Sequence, residues 1–130
     1  MFRINKSGSA SGLLRLGHYV QGILVPAGRN LVVVSGQLPM LPDGTMPSGT
    51  TITEDTLLAL VNVEQVLADK GAKIEDIFLV FVALRNIEDA PKFDAKYAEF
   101  FGDHKPCRFT MEASGLAKGA RIEIMAVAAV

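Results

Sequence analysis

A chain of 130 residues, 49% of them hydrophobic, is long enough to bury one compact core and too short for two ordinary domains. Its 13 basic and 14 acidic residues leave a net charge of −1 with no basic run and no aromatic-rich ribonucleoprotein signature, so nucleic acid has no evident landing strip. The single cysteine, Cys107, excludes an intrachain disulfide, and with two scattered histidines, His18 and His104, it supplies no spaced set of zinc ligands.

The opening segment, MFRINKSGSASG, is poor in core formers and has no long apolar segment before a cleavage site. Residues 1–13 are therefore expected to be flexible or loosely packed at the start of a single domain spanning 1–130. The longest apolar stretches run about seven to nine residues, well short of the roughly 20 that span a bilayer. A cytoplasmic, unexported protein is expected.

Two short β-prone runs, Tyr19 to Val25 and Leu31 to Gln37, flank the turn formers of PAGRN and predict a hairpin. LPDGTMPSGTT, punctuated by proline and glycine, reads as a surface loop. Thr51 followed by Glu54 forms a candidate capping box. The helix it opens carries Leu57, Leu60, Val63, Val66 and Leu67 at helical spacing, and Gly71 can close it in the left-handed conformation. IFLVFVALR, Ile77 to Arg85, suits a central strand covered by helix on at least one face. Asp89 and Pro91 announce a second helix, whose Phe93, Tyr97, Phe100 and Phe101 form an aromatic stripe that reads as core. CRFTMEA and ARIEIMAVAAV predict two closing strands joined by a glycine-containing loop. The resulting order is ββαβαββ, an α+β fold. Two helices can cover one face of the sheet, while the other face is too apolar to stand in water, so self-association is expected.

Alternation along the last strand places Arg121, Glu123, Met125 and Val127 on one face and Ile122, Ile124, Ala126 and Ala128 on the other. Glu123 thus shares a face with apolar groups, which tends to raise a carboxyl pKa and suits a general acid/base; the alternative is a strand-edge glutamate paired with Arg121 or a lysine in solvent. Arg108, just after Pro106, either makes a surface ion pair or offers a planar fork to a carboxylate ligand. Tyr19 either packs or stands at a pocket rim. Cys107 sits beside Arg108, which can lower its pKa, but no motif places a base for it. Ser35 lacks the context of a nucleophile elbow and reads as a hydrogen-bond donor.

YVQG at 19–22, SGQLP at 35–39, NVEQVLADKGA at 62–72, KYAEFF at 96–101, PCR at 106–108 and RIEIMAVA at 121–128 together resemble, in order and spacing, the Rid (YjgF-like) family, also labelled L-PSP endoribonuclease-like. The resemblance covers roughly Gly17 to the C-terminus. It implies a chorismate-mutase-like fold, a homotrimer with sites in the clefts between subunits, and hydrolysis of enamines and imines such as 2-aminoacrylate to 2-keto acids and ammonia. Neither metal nor organic cofactor is implied. By position, Arg108 matches the arginine that grips the substrate carboxylate and Glu123 the glutamate assigned to water activation. Tyr19 and Ser35 match residues lining the pocket, and Gly36 matches a glycine that permits close backbone approach, placing the end of the strand at a cleft wall. Gln37 is left to the turn or the interface.

Three positions depart from that pattern: Asp94 stands where asparagine is usual, Thr110 where cysteine is frequent, and His18 where proline precedes the tyrosine. An extra carboxylate at Asp94 is expected to repel a carboxylate substrate. Non-catalytic binding of 2-keto acids, ribonuclease or translation inhibition, and deamination of a larger enamine are the alternative functions.

Overall fold

The computed structural model describes residues 17–130; the expectation for residues 1–13 lies outside the described residues. Four strands and two helices follow in the order β1 (Leu31–Gln37), α1 (Ile52–Asp69), β2 (Ile77–Leu84), α2 (Ala90–Phe101), β3 (Cys107–Glu112) and β4 (Ile122–Ala129). Helix α1 begins where the capping box predicts: the Thr51 hydroxyl accepts the Glu54 N–H at 3.2 Å, and Glu54 Oε1 accepts the Thr51 N–H at 3.0 Å. It closes at Lys70, followed by Gly71 at φ +76°, a left-handed conformation that suits glycine. Ala59, Leu60, Val63 and Leu67 are buried, whereas Leu57, from the predicted stripe, is 40% exposed. The buried face is shifted from the predicted stripe: Ile52, Asp55, Thr56 and Ala59 are buried as well, and the Thr56 hydroxyl is satisfied by donating to the Ile52 carbonyl at 2.8 Å.

Asp89 occupies the N-cap of α2 but makes no side-chain cap bond. A 3₁₀ turn, Ile87–Asp89, already leads into the helix, and Asn86 caps that turn by accepting the Glu88 N–H at 3.0 Å. Phe93, Tyr97 and Phe101 are buried as the spacing predicts, with successive ring centroids 5.3 and 4.6 Å apart.

The strands form one mixed sheet in the order β1-β4-β2-β3, with β1/β4 and β4/β2 antiparallel and β2/β3 parallel across the α2 connection. Val32, Val34, Val80, Val82, Leu84, Ile122 and Ile124 pack with the buried residues of both helices in one core. The opposite face carries Val33, Phe81, Phe109 and Met111, all substantially exposed. One helix-covered face and one bare apolar face are the arrangement the composition of the strands predicts.

The expected strand over Tyr19–Val25 is not formed, and the order is βαβαββ. Its start is tied to the far side of the sheet: the His18 N–H donates to Asp94 on α2 at 3.1 Å, and the His18 ring meets the His104 carbonyl at 3.1 Å. Asn30, at its other end, exchanges backbone hydrogen bonds of 2.9 Å with Val130. A segment anchored beside α2 and delivered to β1 at the opposite edge spans between them rather than lying along β1. No helix among the described residues is long and apolar enough to cross a membrane.

Candidate functional site

Arg108 pairs in register with the buried Val80, which directs its side chain to the helix-covered face of the sheet. There its guanidinium carbon lies 4.7 Å from the Tyr97 ring centroid, 5.1 Å from Phe93 and 5.4 Å from Tyr19. Only 7% of the side chain is exposed, and a cation so enclosed requires a counter-charge. Asp94 supplies it, with Oδ1 2.6 Å from Nη1 while the same oxygen accepts the His18 N–H. Gly17 permits this approach: a Cβ there would stand 2.9 Å from Asp94 Oδ1. Tyr19, Phe93, Asp94, Arg108 and Thr110 line a cavity of about 500 Å³, beside which the buried Thr110 hydroxyl has no hydrogen-bond partner among the described residues. Burial pushes the Tyr97 phenol well above its usual range, so Tyr97 stays neutral beneath the guanidinium.

Glu123 belongs to a different surface. It pairs with Ala83 on β2, and like Met125 and Val127 it alternates with the buried Ile122, Ile124 and Ala126, so it points to the bare face. Gly36, Phe81, Phe109, Met111, Glu123 and Met125 line a second, largely apolar cavity of about 240 Å³. The proposed pairing of Glu123 with Arg121 is not made. Arg121 turns to Asp55, with Nη2 at 2.8 Å and Nε at 3.0 Å from Oδ2, and also donates to the Thr50 carbonyl. Glu123 has no hydrogen bond or ion pair among the described residues.

Ser35 and Gly36 do not end β1 but form an irregularity within it. Val34 pairs with Ala126 and Gln37 with Ile124, so one extra residue is accommodated as a bulge. Gln37 serves this local turn, donating from Nε2 to the Ser35 carbonyl at 3.0 Å. Gly36 is required for space: a Cβ on it would lie 2.9 Å from Glu123 Cδ and 3.0 Å from Cγ. Gly36→Ala is accordingly expected to displace the Glu123 carboxylate while leaving the protein folded; a crystal structure of the variant and circular dichroism check this.

The residues singled out from the sequence thus fall into two groups. Tyr19, Asp94, Arg108 and Thr110 assemble at one cavity, Gly36 and Glu123 at another with Ser35 adjoining, and the two groups lie on opposite faces of the sheet. Cys107 pairs with Leu79, pointing away from Arg108, and burial raises its thiol pKa instead of Arg108 lowering it. Sequence reasoning missed Gly17, the second use of Phe93 and Tyr97 as walls around the guanidinium, and the apolar wall of Phe81, Phe109 and Met111. Period-two alternation marks Phe109 and Met111 as facing away from Arg108, but only strand pairing brings them to Glu123.

The family described as Endoribonuclease L-PSP matches residues 11–130. A RutC family protein of Saccharolobus solfataricus is 34% identical over 113 residues, 87% of each chain. The 2-iminobutanoate/2-iminopropanoate deaminase of Escherichia coli K12 is 32% identical over 117 residues, covering 87% of this chain and 88% of that one. The crystal structure of E. coli TdcF with bound serine matches the fold with a TM-score of 0.73 at 30% identity, covering 89% of this chain and 91% of that chain.

Proposed function

The chain belongs to the Endoribonuclease L-PSP family, which includes the YjgF-like proteins, and from that premise we propose that it is an enamine and imine deaminase. Its substrates on this reading are 2-aminoacrylate-type intermediates, hydrolysed to 2-keto acids and ammonia. The observation that carries the proposal is the enclosed, charge-paired guanidinium of Arg108 at the wall of a cavity it shares with Asp94 and Thr110, combined with the Glu123 carboxylate, unpaired among the described residues, in an apolar one. Such a pair supplies an anchor for an α-carboxylate and a group to move a proton. Serine bound to the related TdcF is a ligand of the same α-carboxylate class.

In the proposed reaction the enamine tautomerises to an imine whose carboxylate is held by the N–H groups of Arg108 left free by Asp94. Glu123 takes a proton from water as the water oxygen adds to the carbon of the protonated imine, giving a neutral carbinolamine. Glu123 returns that proton to the carbinolamine nitrogen, the C–N bond breaks as the hydroxyl proton passes through Glu123 to the departing ammonia, and the C=O of the 2-keto acid remains. The substrate is already reactive, so positioning and a general acid/base factor of about 10²–10⁴ suffice without a covalent intermediate.

Because Arg108 and Glu123 face opposite sides of one sheet, the site requires Arg108 of one subunit and Glu123 of another. This supports a homotrimer with sites in the intersubunit clefts, which would also cover Val33, Phe81, Phe109 and Met111. The test is complementation. Arg108→Met and Glu123→Gln, each nearly inactive alone, are unfolded, mixed in equal amounts and refolded together. About a quarter of the clefts then combine an intact Arg108 with an intact Glu123, and activity should recover accordingly. No recovery in mixed oligomers, or a monomer in sedimentation at micromolar concentration, would contradict the shared site. Ribonuclease activity, the function the family description names, is less supported, since a net charge of −1 offers little to a phosphate backbone.

A further inference from the structure

We propose that Asp94 makes the Arg108 pocket selective for protonated 2-imino acids over the corresponding 2-keto acids, so that the site holds substrate more tightly than product. The inference rests on the reading of Arg108 as the carboxylate anchor. Asp94 Oδ1 is occupied by Arg108 Nη1 at 2.6 Å and by the His18 N–H at 3.1 Å, whereas Oδ2 has no partner among the described residues. The carboxylate is 30% exposed and lines the same cavity as the guanidinium. The pocket therefore presents a cation and an anion side by side, with no net charge to attract a simple anion.

A 2-keto acid brings a carboxylate and a keto oxygen on adjacent carbons. Every polar atom it turns toward Asp94 is a lone pair, so its carboxylate reaches Arg108 only against repulsion from Asp94. A protonated 2-imino acid brings the same carboxylate beside a nitrogen carrying N–H donors and positive charge. Its two ends match the two charges of the pocket, carboxylate on Arg108 and N–H on Asp94 Oδ2, a charge-assisted hydrogen bond that the product cannot make. The preference also selects the protonated imine, whose carbon is the more electrophilic toward water. Hydrolysis replaces the donor nitrogen with an acceptor oxygen, and the interaction with Asp94 changes sign when the product forms.

Stable ligands test this: 2-aminobutanoate carries a cationic nitrogen beside its carboxylate, and 2-oxobutanoate represents the product. Calorimetric titration of the wild-type protein should give tighter binding of the amino acid. Asp94→Asn keeps an acceptor for Arg108 and His18 but loses the charge. It should bind 2-oxobutanoate about tenfold or more tightly than wild type and 2-aminobutanoate more weakly, reversing the order. Asp94→Glu, which retains the carboxylate, should keep the wild-type order. Equal changes for both ligands in Asp94→Asn, with binding still abolished by Arg108→Lys, would overturn the selectivity while leaving the anchor intact. If neither ligand binds wild type or Asp94→Asn, or if Arg108→Lys binds both unchanged, the anchor reading fails and this inference with it.

Discussion

Glu123→Gln is expected to lower turnover on 2-imino acids by about 10²-fold or more while 2-keto acid affinity stays within several-fold of wild type, the pattern of a group acting mainly in the transition state. Glutamine preserves the shape and one carbonyl acceptor but cannot take up or deliver a proton. The structural alternative for this residue has lost its first named partner, because Arg121 is engaged by Asp55 and Thr50. What surrounds Glu123 instead is the Gly36 backbone and the side chains of Phe81, Phe109, Met111 and Met125. The measurement is ammonia release from imino acids generated in situ, with uncatalysed hydrolysis subtracted, since these substrates decay unaided. Unchanged turnover would remove the mechanism and favour a metabolite-binding protein.

Arg108→Lys is expected to abolish measurable 2-keto acid binding and to lower kcat/KM by about 10²-fold or more. An ammonium is a point charge: it cannot share one planar face among Tyr19, Phe93 and Tyr97 while forking to both Asp94 and a ligand carboxylate. The stability cost should be smaller than the functional one. Lysine keeps a positive charge opposite Asp94, which is 30% exposed and can also turn to water, so no charge is stranded; the loss of the planar fork and of its packing against three rings is expected to cost about 1–3 kcal/mol. Titration calorimetry and thermal unfolding of the same variant separate the two effects. A lysine variant that binds 2-keto acids normally would leave Arg108 with a packing role only. The two variants also discriminate between the roles assigned here, since the loss at Arg108 falls on binding and the loss at Glu123 on turnover.

The parts of this protein legible from sequence are those governed by neighbours along the chain. The Thr51–Glu54 capping box spans four residues, the stripe of Phe93, Tyr97 and Phe101 repeats every four, and the alternation of Glu123 with Ile122 and Ile124 is the period of a strand. Each follows from local backbone geometry, so its elements appear where the spacing predicts. The hairpin failed for the complementary reason: β-prone residues at Tyr19–Val25 satisfy local preference, but a strand also needs a partner, and His18 is held at Asp94, 76 positions away.

Which chemistry each candidate residue could perform was set by residue type and position, as was the family. Which residues meet was decided only by the tertiary structure. Arg108 finds Asp94 because the α2 crossover returns the chain parallel to β2, closing a pair 14 residues apart, and β3 lies beside β2 rather than β4. The same pairing sends Arg108 and Glu123 to opposite faces, since each side chain follows the face of its β2 partner, Val80 for one and Ala83 for the other. Period two determines which residues of a strand share a face; the face itself is set by strand order and register, which depend on contacts that no local pattern contains.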